Sequence, residues 1–121
     1  MKNIIQSQLE IVRISEIKKN MRKTIDKYFT EVELNEFGNK HIKTLAGFYA
    51  VKKALKNLIS QKYPDCNISE KEIILTNNSE GAPFINEIIS FNNEDLQKFF
   101  ISISHTSEYA YGFAAITDLM E

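Results

Sequence analysis

A chain of 121 residues, 43% hydrophobic and 26% charged with only 4 Gly and 2 Pro, has the apolar mass for one ordinary domain. Disordered, collagen-like and linker classes are excluded, and the longest apolar run, Ala110 to Ile116, falls far short of the roughly 18 residues of a membrane-spanning helix. The net charge of −1 conceals an asymmetry: residues 1–62 carry 13 Lys and Arg against 6 acids, net +7, whereas residues 63–121 carry 2 Lys against 10 acids, net −8. The first ten residues hold no signal-type hydrophobic block, and a cytoplasmic protein is expected. The lone Cys66 has no partner for an intrachain disulfide and reads as a loop residue without a role.

Leu9, Ile11 and Ile14, with Val12 between them, predict a first strand at about residues 8–14. A basic helix follows, placed to start at a Ser15 cap and to run to Lys27, with Ile17, Met21 and Ile25 four apart on one face. Thr30 and Glu33 have the spacing of a capping box, in which a threonine oxygen and a carboxylate satisfy free amides at a helix start. The short helix they open ends near Phe37, with Gly38 and Asn39 as the stop.

The longest helix is predicted from about His41 to Lys62, because Leu45, Phe48, Leu55, Leu58 and Ile59 recur at three- and four-residue intervals, and Pro64 ends it. Residues 40–62 hold six lysines and no acid, so a positive face is expected there, with Lys52 and Lys56 one turn apart and Lys53 beside them. Such a face suits a phosphate-bearing ligand or an acidic protein, and equally a plain solvated surface. No helix-turn-helix, zinc finger or aromatic RNA-binding motif accompanies the lysines, which makes nucleic acid the least favoured partner.

Beyond residue 70, Glu72 to Thr76 and Pro83 to Ile85 read as strands around a turn at Asn77 to Gly81. Asn92 to Gln97 is a short helix or a loop, and Phe99 to Ser104 and Tyr109 to Thr117 are strands around a turn at His105 to Glu108. Together the elements predict a single α+β domain over residues 1–121, mainly antiparallel strands packed against one long helix.

Of the two histidines, His41 sits among lysines and reads as a solvated surface residue. His105 stands at the end of a strand whose alternation separates Ser102 and Ser104 from Ile101 and Ile103. Strand ends are where a rigid sheet positions binding groups, and also where ordinary turns occur; the residues alone leave both readings open. The chain has no nucleophile elbow, no P-loop and no HExxH helix.

The stretches LEIVRI, YFTEVELNEF, LAGFYAVKKAL, EGAPFI and FFISISHTSEYAYGFAAI resemble, in order and in separation, the holo-acyl-carrier-protein synthase group of the 4'-phosphopantetheinyl transferase superfamily, over about residues 9 to 117. The resemblance implies transfer of the phosphopantetheine arm of coenzyme A to a serine of an acyl carrier protein, with magnesium as the usual cofactor, in fatty acid biosynthesis or a related pathway. It also implies a homotrimer whose sites lie between subunits. Residue by residue it puts Glu10 in place of a first-strand metal-binding aspartate, Lys52 at a phosphate-approaching lysine, Pro83 in the turn near the nucleotide, and Ser104, His105 and Thr106 in the motif that holds the nucleotide end. Lys52, Lys53 and His105 are thereby the implied catalytic positions.

The chain departs from that pattern where Lys53 replaces a metal-binding glutamate, Asn57 a second lysine and Phe48 an arginine. A protonated lysine neither binds a cation nor accepts a proton. Two readings of Lys53 stay open. In one, its ammonium takes over part of the metal's charge while another group, with Glu10 and Glu72 as candidates, accepts the serine proton. In the other, the chain is a degenerate homologue that binds coenzyme A or a carrier or partner protein without transfer.

Overall fold

The structure is a computed structural model and describes residues 2–37 and 42–119. Strand β1 (Lys2–Arg13) leads into α1 (Ile14–Lys19), α2 (Met21–Tyr28) and α3 (Glu31–Phe37), followed by the long helix α4 (Ile42–Lys62). A 3-10 turn at Glu70–Glu72 precedes β2 (Ile73–Asn77) and β3 (Pro83–Ile88), and α5 (Asn93–Leu96) precedes β4 (Phe99–His105) and β5 (Tyr109–Leu119). The strands form two antiparallel sheets, one of order β1-β5-β4 and one pairing β2 with β3. This is the expected α+β architecture. His41, Gly38, Asn39 and Lys40 lie outside the described residues.

Two boundaries differ from the sequence reading. The first strand begins at Lys2 rather than near residue 8, because β5 is long enough to pair it as far as Lys2 opposite Leu119. The basic helix is broken at Asn20, whose ψ of 30° is not helical and whose side-chain amide donates to the Glu16 carbonyl, ending α1. Ser15 lies inside α1 and is not its cap; Arg13 occupies that position with no side-chain capping bond.

Helix α4 packs on all three strands of the larger sheet and also meets α1 and the 3-10 turn. Leu45, Phe48, Leu55, Leu58 and Ile59 are all buried, together with Ala46, Ala50, Val51 and Ala54 between them, so the helix is covered on most sides rather than on one stripe. It crosses the sheet obliquely. Gly47 lies against Ile103 of β4, the Ala50–Val51 peptide lies on Gly112 of β5, and Asn57 reaches Glu10 of β1. The sheet register sets Glu10, Gly112 and Ile103 side by side, so one helix touches each strand in turn.

Candidate functional site

The oblique crossing creates two stations about 15 Å apart along α4, the rise of the ten residues from Gly47 to Asn57. At the first, the start of α4, the β2–β3 turn and β4 enclose a cleft of about 610 Å³ lined by Lys43, Thr44, Asn77, Gly81, Pro83 and His105, among others. Pro83 and His105, separated by 22 positions in the chain, therefore line the same cleft. Lys43 adds a cation that the reading did not single out; only its place in the lysine-rich stretch pointed to it.

Ser104 and Thr106 do not join His105 there. Ile103 faces α4, so the alternation of β4 turns Ser104 to the opposite face of the sheet, where it is exposed. Thr106 is occupied by its own turn: its Oγ1 accepts from the amides of Glu108 and Tyr109 at 3.2 and 3.0 Å, and its amide donates to the Tyr109 carbonyl at 2.8 Å. Its side chain shapes the turn that carries His105.

Lys52 is likewise corrected. It is fully buried, and its ammonium donates to the carbonyls of Tyr28 and Glu70 at 2.7 and 3.2 Å and to Glu33 Oε1 at 2.5 Å, 4.7 Å from the Phe29 ring centroid. Three protons serve three protein acceptors, so none is left for a phosphate. Burial holds its ammonium below the usual lysine range, against the opposing pull of Glu33. The expected positive face narrows further because Lys56 pairs with Glu70 at 3.1 Å.

The second station centres on Glu10 and Lys53. Glu10 is half-buried, and its Oε1 accepts from the Asn57 amide at 2.7 Å. Lys53 lies one turn before Asn57 on the same helix face. Its ammonium stands 5.4 Å from the Tyr49 ring centroid and makes no ion pair among the described residues. Tyr49 packs on Tyr28 with ring centroids 4.8 Å apart. Burial first, then hydrogen bonding and proximity to Tyr28 and the charges of Glu70 and Glu10, push the Tyr49 phenol up, so it stays a neutral donor. Glu72, a candidate base, instead accepts from the amide and hydroxyl of Ser69 in a capping box.

A magnesium ion fits this donor set poorly. Hard divalent cations are held by several oxygens, from one or two carboxylates together with substrate phosphates, and an ammonium beside the site repels them. Here Glu10 offers one carboxylate, one of whose oxygens takes an amide proton, with the Lys53 ammonium on the same helix face as that amide. No group of three His, Cys, Asp or Glu is placed to hold a metal among the described residues.

Comparison with known proteins gives this geometry a context. No family model matches the chain. The holo-[acyl-carrier-protein] synthase of Thermodesulfovibrio yellowstonii is 38% identical over 117 residues, covering 90% of this chain and 95% of that protein. The one of Borreliella burgdorferi is 31% identical over 126 residues, covering 96% and 98%. Among solved structures, a holo-(acyl-carrier-protein) synthase from Bacillus anthracis in complex with CoA (3',5'-ADP) matches with a TM-score of 0.74 at 22% identity, over 96% of this chain and 98% of that one. The Helicobacter pylori enzyme in complex with coenzyme A matches at 0.66 and 22%, over 93% and 100%. The structural likeness shows the fold, and sequence identity across nearly the whole length carries the assignment further: the chain belongs to the holo-[acyl-carrier-protein] synthase family.

Proposed function

We propose that the chain transfers 4'-phosphopantetheine from coenzyme A to a serine of an acyl carrier protein. The observation that carries this reading is the 38% identity to a holo-[acyl-carrier-protein] synthase over 117 residues. In the reaction the serine oxygen bonds to the phosphorus next to the pantetheine arm as the diphosphate P–O bond breaks. Adenosine 3',5'-bisphosphate leaves with the bridging oxygen, and the serine proton passes to a base, for which Glu10 is the carboxylate at hand. The cleft of Lys43, Pro83 and His105 suits the nucleotide end, where lysine and imidazole face its phosphates. Incubation with coenzyme A is expected to add about 340 Da to a carrier protein, the mass of the group displaced onto its serine. No gain over a panel of carrier proteins, with binding of coenzyme A retained, would favour the degenerate alternative instead.

We further infer that the working unit is a homotrimer with each site completed by a neighbouring copy. Two features support this. Within one chain the His105 cleft and the Glu10 station are set apart along α4, and the outer face of the larger sheet exposes Leu9 and Ile11, each 55% exposed, and Phe100 at 54%, which packs edge-on against Phe113. An apolar face of that kind is covered in solution by association. Sedimentation equilibrium is expected to give three times the 14.0 kDa chain mass, falling to one in the Leu9→Lys, Ile11→Lys double variant. A wild-type monomer at micromolar concentration would sink the trimer. Cytoplasmic residence fits the same reading, and no helix among the described residues is long and apolar enough to cross a membrane.

A further inference from the structure

We propose that Lys53 supplies from within the chain the positive charge that the coenzyme A diphosphate requires, so that coenzyme A binds here without a divalent cation. This rests on the reading of the chain as a coenzyme A-dependent transferase and adds to it a specific ionic requirement.

The argument begins from the donor set around Glu10. A cation site gathers oxygens with free lone pairs. This station gathers donors instead: the Asn57 amide, already turned toward Glu10 at 2.7 Å, and the Lys53 ammonium above the Tyr49 ring, whose own phenol proton is taken up by Tyr28. Donors on a single helix face present themselves to an anion, whereas they repel or leave unligated a metal ion.

The three lysines of the middle of α4, Lys52, Lys53 and Lys56, differ in how far they are already committed, and that difference singles out Lys53 among them. Lys52 spends all three protons inside the core, and Lys56 is held by Glu70 at 3.1 Å. Lys53 has only the face of Tyr49, 5.4 Å away, and no carboxylate partner among the described residues. Its stem lies half-buried against the aromatic ring, which limits the conformations available to the ammonium before any ligand arrives. A half-buried, restrained cation without a counter-ion holds a diphosphate at a lower ordering cost than a fully solvated lysine. Glu10, held by Asn57 on the same side, keeps one carboxylate oxygen for a proton and none of the geometry of a chelate.

The test is calorimetric titration of coenzyme A into the full chain in excess EDTA and again in excess magnesium, for wild type, Lys53→Met, Lys53→Arg and Lys53→Glu, with circular dichroism to confirm that each variant is folded. Wild-type affinity is expected to agree within about threefold between the two buffers, since no binding step requires the ion. Lys53→Met, which keeps the stem on Tyr49 and loses only the charge, is expected to weaken binding about 10- to 100-fold in both buffers, the worth of a charge-assisted contact. Lys53→Arg restores most of that loss. Lys53→Glu is expected to bind poorly in EDTA and to recover with magnesium, because a second carboxylate beside Glu10 recreates a cation site. Wild-type binding that strengthens tenfold or more on adding magnesium overturns the inference and leaves coenzyme A use standing, as does Lys53→Met binding like wild type. Absence of coenzyme A binding in both buffers for every folded form overturns the parent reading, and the inference with it.

Discussion

Glu33→Gln is expected to cost about 3 to 5 kcal/mol of folding stability, the range for breaking a buried ion pair from one side. Glu33 is fully buried. Its Oε1 accepts from the Thr30 amide at 2.9 Å, from the Thr30 hydroxyl at 3.2 Å and from the Lys52 ammonium, while Oε2 accepts from the Leu75 amide at 3.0 Å. One carboxylate thus ties the start of α3, the middle of α4 and strand β2. Glutamine brings an NH2 group that must face either the ammonium or the Leu75 amide, donor against donor, and leaves the lysine charge uncompensated. Lys52→Met is expected to cost a similar amount from the other side, leaving a buried carboxylate without its counter-ion and the carbonyls of Tyr28 and Glu70 without their donor. The double variant Glu33→Gln, Lys52→Met should be less damaging than the sum of the two, because it removes both desolvated charges at once. Denaturant unfolding of the four proteins measures the coupling, and single substitutions each costing under about 1 kcal/mol would mean that water reaches the pair. Transfer activity in Lys52→Met is expected to fall with the folded fraction, since this lysine anchors the helix that carries Lys53 and Asn57.

How much of this was legible beforehand depends on how far apart the interacting residues lie in the chain. The capping box of Thr30 and Glu33 could be read because its partners are three positions apart, and the amide of Glu33 does donate to Thr30 Oγ1. The second duty of the same carboxylate could not, because Lys52 is 19 positions away and a lysine in an acid-free stretch looks solvated. The long helix was legible from its apolar spacing almost to the residue. Its burial on nearly every side was not, since Ala46, Ala50 and Ala54 are as consistent with a solvated face as with one pressed on a sheet. Around His105 the alternation of β4 was read correctly, and it turns the Ser104 side chain the opposite way from that of His105, since neighbours in a strand face opposite ways. The cleft instead joins His105 to Pro83 and Lys43, contacts set by how β3 and α4 approach β4 rather than by proximity along the chain. The bond from Asn57 to Glu10 spans 47 positions and carried no local signal.

Gly112→Ala is expected to be among the most damaging single-methyl additions available to this chain. A Cβ at Gly112 would fall onto the Ala50–Val51 peptide of α4, and 2.7 Å from the Ala50 carbonyl oxygen. These are backbone atoms in the middle of a 21-residue helix, and they have no rotamer through which to yield. At Gly47 the added carbon meets Ile103 Cγ2 at 2.6 Å, a side-chain methyl that yields only by a change of the stiff Ile103 χ1, while the alanine itself favours the helix. Gly47→Ala is therefore expected to cost about 1 kcal/mol and Gly112→Ala about 3 kcal/mol or more, the upper part of the range for overpacking a core. For a domain of this size the second corresponds to a drop of roughly 10 °C in melting temperature. The consequence reaches the site through the same helix: lifting α4 from β5 draws Asn57 away from Glu10 and opens the wall between Thr44 and His105. Coenzyme A affinity in the folded fraction of Gly112→Ala should fall at both stations together, whereas Lys53→Met affects only one. A Gly112→Ala protein that melts within a few degrees of wild type would show that α4 does not rest on β5 at this glycine, and the oblique crossing that sets the two stations apart would have to be abandoned.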